Sequence, residues 1–231
     1  KVPVIAGPIP PADRRSSRDS GWRHAELGIK DELIYEDFDL SDVNSIISLL
    51  KKYKFDEIYN LAAQSFVKSS FITPISTADV TALGPLRILD SLKNISRKTK
   101  FYQASSSEMY GKVKENVLDE NTRFHPRSPY AVSKLFAHEI TKNYREAYNM
   151  FCCSGILFNH ESPLRGEEFV TRKITKQLSE VKLGKRKFIE LGNIYAKRDW
   201  GFAGEYVEAM WKMLQHETPD DYVIATNKVY N

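Results

Sequence analysis

Residues 56–105 read DEIYNLAAQSFVKSSFITPISTADVTALGPLRILDSLKNISRKTKFYQAS. Two short apolar runs, "DEIYNLAA" and "TKFYQAS", flank "ISTADVTALGPLRILDSLKN", whose apolar residues recur at helical spacing. The short runs read as buried strands, and the middle segment reads as a helix despite Gly84 and Pro85. Parallel strands need a crossover of about a dozen or more residues, usually a helix, and this spacing supplies one.

The same alternation extends in both directions. "KVPVIAG" reads as a strand, and "DELIYEDFDL" holds a second that ends at Asp39–Leu40. "SDVNSIISLLKKY" is a capped helix with Ile46, Ile47, Leu49 and Leu50 apolar. Downstream come a helix in "YAVSKLFAHEITKNYREAY", a strand in "MFCCSGILF", and a helix in "EEFVTRKITKQLSEVKLG" that stops at Gly184. "RKFIELG" reads as strand-like, "AGEYVEAMWKMLQ" as a helix and "DDYVIAT" as a last strand. There is no internal repeat and no low-complexity linker. The alternation predicts an α/β fold, a doubly wound parallel sheet with right-handed crossovers and helices on both faces.

Composition narrows the class. At 231 residues and 42% hydrophobic, the chain can bury a sizeable core. A net charge of +4 spread along the sequence gives no nucleic-acid footprint; the only dense basic cluster with a function-like setting is "DRRSSR", Asp13 to Arg18. The two cysteines, Cys152 and Cys153, are adjacent in a strand-like run. Strand neighbours point to opposite faces and rarely bridge, so reduced thiols in a cytoplasmic protein are expected. No apolar run is long enough for a membrane span and no signal-like segment opens the sequence. The five histidines are scattered, so no metal is expected.

In parallel sheets of this kind the ligand lies beyond the carboxyl ends of the strands. Chemistry-capable residues stand there: Asp39; Gln64 and Ser65; Ser105, Ser106, Ser107 and Glu108; and Asn159, His160 and Glu161. A second feature is "RSPYAVSKLFAHEI", Arg127 to Ile140, with Tyr130 and Lys134 four apart. Ser128 and Pro129 supply a cap and a first-turn proline. Val132, Leu135, Phe136 and Ile140 recur as an apolar stripe. Residues four apart share a helix face, so the phenol and the ammonium can point into one cleft. "YGKVK" repeats the spacing with Tyr110 and Lys114 but has no apolar stripe behind it, and reads as a loop. A cation near a tyrosine favours its phenolate, and Ser106 can orient a reacting oxygen. Glu108 is a second acid/base. Together these parts can move a proton off an alcohol while a hydride passes to a nicotinamide.

The runs "YNLAAQSFV", "FYQASSSEMYGKV", "RSPYAVSK", "GILFNHESPLRG", "LGN", "AKRDWG" and "YVEAMW" resemble the GDP-mannose 4,6-dehydratases, within the extended short-chain dehydrogenase/reductase family. The resemblance implies a Rossmann-like domain over 1–165, with 166–231 completing the sheet and starting a sugar-nucleotide domain. It implies Ser106, Glu108, Tyr130 and Lys134 as catalytic residues, Ser106 standing where the family has threonine. It implies NADP as cofactor, held by Gly7, by Arg14, Arg15 and Ser16 at the 2′-phosphate, and by Asp39 and Leu40 at the adenine. Leu61, Ala62, Ala63, Gln64 and Ser65, with Tyr130, Lys134, His160 and Arg165, would complete that site. GDP-mannose would meet Ser106, Glu108, Asn159, the segment Val170 to Lys173, Asn193 and Arg198. Read without the resemblance, His160 is a loop histidine bonded to backbone. A homodimer or homotetramer is implied by resemblance alone.

Three departures stand against the family pattern. Only Gly7, followed by three prolines, stands where a glycine-rich turn and helix belong, so the first βαβ unit is expected to be shortened. Ser76 aligns near a family tyrosine that contacts the cofactor. The sequence ends at Asn231, so most of the substrate domain is expected to be missing. Three readings stay open: a truncated form of an active dehydratase, a non-catalytic relative or assembly partner, and an epimerase or reductase acting on another sugar nucleotide. Glu108 discriminates against the last, since epimerases lose no water.

Overall fold

The computed structural model describes residues 2–6, 22–114 and 117–230. A first strand, β1 (Val2–Ala6), is followed by a short helix α1 (Trp22–Glu26), strand β2 (Leu33–Asp37) and helix α2 (Val43–Lys52). Then come β3 (Glu57–Asn60), α3 (Val67–Ile72), α4 (Pro74–Ala78), α5 (Gly84–Ile95) and β4 (Lys100–Ser106). Helix α6 (Pro129–Tyr148) leads to β5 (Cys152–Leu157), β6 (Asn159–Glu161) and α7 (Val170–Lys182). The chain closes with β7 (Arg198–Phe202), α8 (Ala203–Gln215), β8 (Asp221–Ile224) and β9 (Val229–Tyr230).

The central sheet is parallel, in the order β3-β4-β5-β8, and β1 pairs in parallel with β2. A smaller sheet, β6-β7-β9, follows the end of β5. Alternation along the strands sorts the core into two layers. Phe101 and Cys152 join Ile46, Leu50, Leu89 and Leu92 under α2, α5 and α6. Tyr102 and Cys153 join Tyr206, Met210 and Leu214 under α8. The adjacent cysteines thus lie on opposite faces, both buried and both free. Helices on both faces of a parallel sheet give the doubly wound, Rossmann-like architecture.

Three details differ from the sequence reading. Strand β2 stops at Asp37, two residues short of Asp39, because Asp39 turns the chain: its carboxylate accepts from the backbone and hydroxyl of Ser41 at 2.8 and 2.7 Å. The segment 75–94 is helical throughout, yet a wide turn at Asp79–Leu83 separates α4 from α5. Pro85 has no N–H and its ring crowds the preceding turn; a wide turn just upstream accommodates it. Residues 186–192 form no strand. Gln177 Oε1 takes the Glu190 amide at 2.6 Å, and Arg186 pairs with Glu180 and Glu190, so the segment folds back on α7 instead. On α6, Val132 and Phe136 are 54% and 40% exposed, and the buried face is Tyr130, Ala131, Ser133, Lys134, Ala137, His138, Thr141 and Tyr144. The other two residues of the stripe, Leu135 and Ile140, pack against the core. The buried face is largely polar where it meets the end of β4.

Candidate active site

Helix α6 starts where the sequence places it. Ser128 Oγ accepts from the Ala131 amide at 3.1 Å and Pro129 occupies the first turn. This fixes Tyr130 one residue into the helix and Lys134 one turn later on the same buried face; they are 9% and 3% exposed. Lys134 Nζ lies 5.9 Å from the centre of the Tyr130 ring. It donates to the Ala104 carbonyl at 2.7 Å, tying the helix to the last turn of β4.

That carbonyl has a second donor. Gln103 Nε2 reaches it at 3.0 Å, while Gln103 Oε1 accepts from Asn60 Nδ2 on β3 at 2.8 Å. Buried polar groups are costly unless paired, and this chain pairs them across two strands and a helix. Sequence reasoning missed it, although a glutamine in the middle of an otherwise buried strand was a usable signal.

Ser106 ends β4 and caps the short turn Ser107–Met109: its Oγ accepts from the Glu108 amide at 3.2 Å. A hydroxyl accepting there keeps its own hydrogen for another partner, and Ser106 stands close enough to the Tyr130 phenol to favour its ionised form. Ser106, Glu108, Tyr130 and Lys134 thus share one corner, where the end of β4 meets the first turns of α6.

The electrostatics differ from expectation. Burial pushes the Tyr130 phenol up to about 12, the Ser106 side chain pulls it down, the Glu108 carboxylate raises it and the Arg165 guanidinium lowers it. Burial outweighs its neighbours, and the phenol is not made acidic. Burial instead brings Lys134 itself down to about 8. In a dry site the cost of charging a group outweighs a neighbour's pull until the neighbour is itself charged and close. The cation that acts on Tyr130 is Arg165, a role the sequence reading did not give it.

Arg165 is placed by the loop after β5. Its Nε lies 3.1 Å from Glu161 Oε2, which also accepts from Thr171 Oγ1 at 2.7 Å. Its guanidinium lies 3.5 Å above the Phe169 ring, and Phe169 meets Phe66 edge to face at 6.4 Å. The segment after β3 and the segment before α7 therefore meet beside the site. His160 Nδ1 bonds the Phe158 carbonyl at 2.8 Å and its ring stacks on Tyr206 at 4.6 Å, with burial lowering its pKa.

The other expected residues are distributed as follows. Leu61 is 55% exposed beyond β3 and Ser65 is exposed, while Ala62 and Ala63 are half-buried. Gln64 donates its amide to Thr81 Oγ1 at 3.1 Å, and its Oε1 is buried without a hydrogen-bond partner. An orphaned acceptor at the strand end fits a ligand with hydrogen-bond donors. Leu40 is 4% exposed, its side chain packed in the core against Gly84 and its carbonyl accepting from Arg87 at 3.0 Å. Hydrogen bonds from Ser41 hold the Asp39 carboxyl below its ordinary range. Ser76 is exposed on α4. Asn159 pairs in register with Trp200, Val170 opens α7 and Lys173 follows one turn later. Asn193 Oδ1 accepts from the Tyr195 amide at 3.0 Å, and Arg198 is exposed at the start of β7. The positions expected to face substrate spread along β6, α7, the loop after α7 and β7. Gly7, Arg14, Arg15 and Ser16 lie outside the described residues. Tyr110 is buried, its hydroxyl donating to the Asp119 carbonyl at 2.6 Å, as befits a structural residue. No group of three or more metal-ligating side chains occurs among the described residues, and no helix there is long and apolar enough to cross a membrane.

Comparison with known proteins gives the family and the fold. The family model described as GDP-mannose 4,6 dehydratase matches residues 12–231. GDP-mannose 4,6 dehydratase 1 of Arabidopsis thaliana is 59% identical over 82% of this chain and 54% of its own length. GDP-mannose 4,6 dehydratase 2 of Caenorhabditis elegans is 56% identical over 84% of this chain and 51% of its own. The chain spans about half the length of the curated relatives it matches. Among solved structures, RMD from Pseudomonas aeruginosa complexed with NADPH is 27% identical with a TM-score of 0.78, over 85% of this chain and 70% of that one. A UDP-glucose 4-epimerase from Thermotoga maritima, 18% identical, shares the fold at a TM-score of 0.81 over 99% of this chain and 70% of that one. With a family model matching nearly its whole length, this chain belongs to the GDP-mannose 4,6-dehydratase family.

Proposed function

We propose that the chain carries the reacting centre of a GDP-mannose 4,6-dehydratase, converting GDP-mannose to its 4-keto-6-deoxy derivative with NADP as cofactor. The observation that supports this most is the meeting of Ser106, Glu108, Tyr130 and Lys134 at the end of β4, in a chain matching the family from residue 12 onward. Among the described residues, Asp39, Leu40, Leu61 to Ser65, Tyr130, Lys134, His160 and Arg165 would hold the cofactor. Gly7, Arg14, Arg15 and Ser16 belong to the same proposal. The orphaned Gln64 Oε1 and the buried Lys134 amine fit a ligand that brings both donors and acceptors. When bound, the nicotinamide supplies the hydride acceptor and, later, the donor.

The chain's own groups then do the following. Tyr130 takes the proton from the sugar's 4-hydroxyl, with the Ser106 hydroxyl orienting that oxygen. A keto group at carbon 4 acidifies the hydrogen at carbon 5. Glu108 removes that proton and helps release the carbon-6 hydroxyl as water. A Tyr130 phenol near 12 is a weak base at neutral pH, so the account requires the Lys134 ammonium and Arg165 to act together on it once substrate excludes water. Asn159, Val170, Lys173, Asn193 and Arg198 would face the sugar nucleotide. We read 1–165 as the NADP-binding unit, 166–231 as the start of the sugar-nucleotide unit, and the protein as cytoplasmic. Exposed Ile72 and Ile75 near α6, with Val132 and Phe136, support a homodimer or homotetramer.

Incubation with GDP-mannose and NADP, with detection of an alkali-absorbing 4-keto product, tests this reading. A Glu108→Gln chain that still eliminated water at full speed would remove the mechanism. Failure to bind NADP at micromolar levels in a fluorescence titration would favour the non-catalytic relative instead.

A further inference from the structure

One turn beyond Lys134, on the same buried face of α6, stands a histidine that the proposed chemistry leaves unused. His138 is 4% exposed. Its Nδ1 lies 3.1 Å from Oγ of Ser105, the residue before Ser106. Its Nε2 lies 3.8 Å from Oδ2 of Asp221 on β8, and that oxygen also accepts from Arg145 at 2.8 Å. The Phe124 ring meets the imidazole edge to face at 5.4 Å. Helix α6 therefore grips the end of β4 at two consecutive residues. Lys134 holds the Ala104 carbonyl, and His138 holds the Ser105 side chain.

We propose that His138 is a positioning residue: with Ser105, Asp221 and Arg145 it locks the carboxyl end of β4 against α6, so that Ser106 faces the Tyr130 phenol. The proposal rests on the dehydratase reading of Ser106 and Tyr130. The Asp221 carboxylate beside Nε2 favours the tautomer protonated there, which leaves Nδ1 to accept from the Ser105 hydroxyl. The groups at the ring are Asp221 from β8, Ser105 from β4 and Phe124, with Arg145 on the shared Asp221 carboxylate, and Glu139 and Lys142 of α6 act on it through charge alone. Burial, Arg145 and Lys142 disfavour the imidazolium, while Asp221 and Glu139 favour it; burial is the largest and the ring stays neutral below its ordinary range. Protonation would make Nδ1 a donor and force Ser105 to reverse its bond, one residue from Ser106. A histidine, an aspartate and an arginine buried together cost desolvation that an apolar layer would avoid. Here that layer lies directly behind the reacting hydroxyl.

Three variants test it: His138→Phe, which keeps a ring and loses the bond; His138→Gln, whose amide can still reach Ser105; and Ser105→Ala. Amide hydrogen exchange at Ser106, Ser107 and Glu108 is read beside exchange in α2, and turnover of GDP-mannose with NADP is measured in parallel. His138→Phe and Ser105→Ala are expected to speed exchange at residues 106–108 by about tenfold or more while α2 stays protected. They should lower kcat about tenfold with KM little changed, His138→Gln recovering most of the loss. The acid limb of the kcat profile should lose one ionisation in both His138 variants. Exchange at 106–108 unchanged in Ser105→Ala, or rising equally in α2, overturns the proposal. If the parent chain makes no 4-keto product, the dehydratase reading fails, whereas the exchange comparison still decides whether His138 holds the strand end.

Discussion

The corner between β4 and α6 and the segment around α7 are built on opposite plans. In the first, polar side chains are buried and mutually engaged: Asn60 with Gln103, Lys134 and Gln103 with the Ala104 carbonyl, His138 with Ser105. In the second, apolar side chains are exposed: Leu178, Leu183, Phe188, Ile194 and Tyr195 are 50%, 67%, 62%, 62% and 82% accessible. A buried polar corner is expensive and so must be geometrically unique, which suits a site where protons move. An open apolar surface gives little stability to the chain as it stands and is free to meet a ligand or further polypeptide. The proposed reacting groups are thus engaged by partners, while the α7 side presents exposed apolar surface.

The largest effect that would break this contrast concerns the phenol. Tyr130→Phe is expected to lower GDP-mannose turnover by at least 10²-fold, within the usual range for losing a general base, with folding intact. Steady-state kinetics with circular dichroism checks it, and near-parental turnover would place the base elsewhere. Ser106→Ala should cost about tenfold less than that, and Ser106→Thr should restore activity, since only the hydroxyl is used. A threonine that failed to restore activity would mean the added methyl cannot be fitted.

Lys134 sharpens the comparison through pH. Its amine titrates near 8 in the folded chain and near 10.5 unfolded. Between those values the unfolded state binds more protons, so this group's penalty on folding is present below about pH 8 and fades as pH rises toward 10.5. Urea unfolding of the parent and of Lys134→Met should therefore converge across that window, if the methionine is the more stable at neutral pH as burial of a cation predicts. Equal separation at pH 7 and pH 10 would contradict the burial argument. The smallest effect belongs to the exposed side: Phe188→Ser should change stability by no more than about 0.5 kcal/mol, as surface substitutions do, whereas a loss of 2 kcal/mol or more would show that the α7 side is packed after all.

Much of the fold was legible in the sequence, because burial imposes period two on β4 and β5 and leaves turn residues between elements. The Ser128–Pro129 cap placed Tyr130 and Lys134 correctly, and adjacent Cys152 and Cys153 signalled a strand buried on both faces. The apolar spacing on α6 marked the helix, and Leu135 and Ile140 pack against the core, but Val132 and Phe136 are exposed and the fully buried face is largely polar. "RKFIELG" looked like a strand because alternation alone cannot reveal a side-chain amide such as Gln177 capturing the backbone. The phenol's raised pKa was not legible at all. Desolvation depends on how much chain closes over a group, which no local spacing encodes.

The most direct test of the central claim uses GDP-mannose carrying deuterium at carbon 4, incubated with this chain and NADP, with the product read by NMR and mass spectrometry. The account predicts a 4-keto-6-deoxy product with the deuterium at carbon 6 and a solvent-derived hydrogen at carbon 5. Unchanged substrate, or a product in which carbon 6 keeps its hydroxyl, would contradict it.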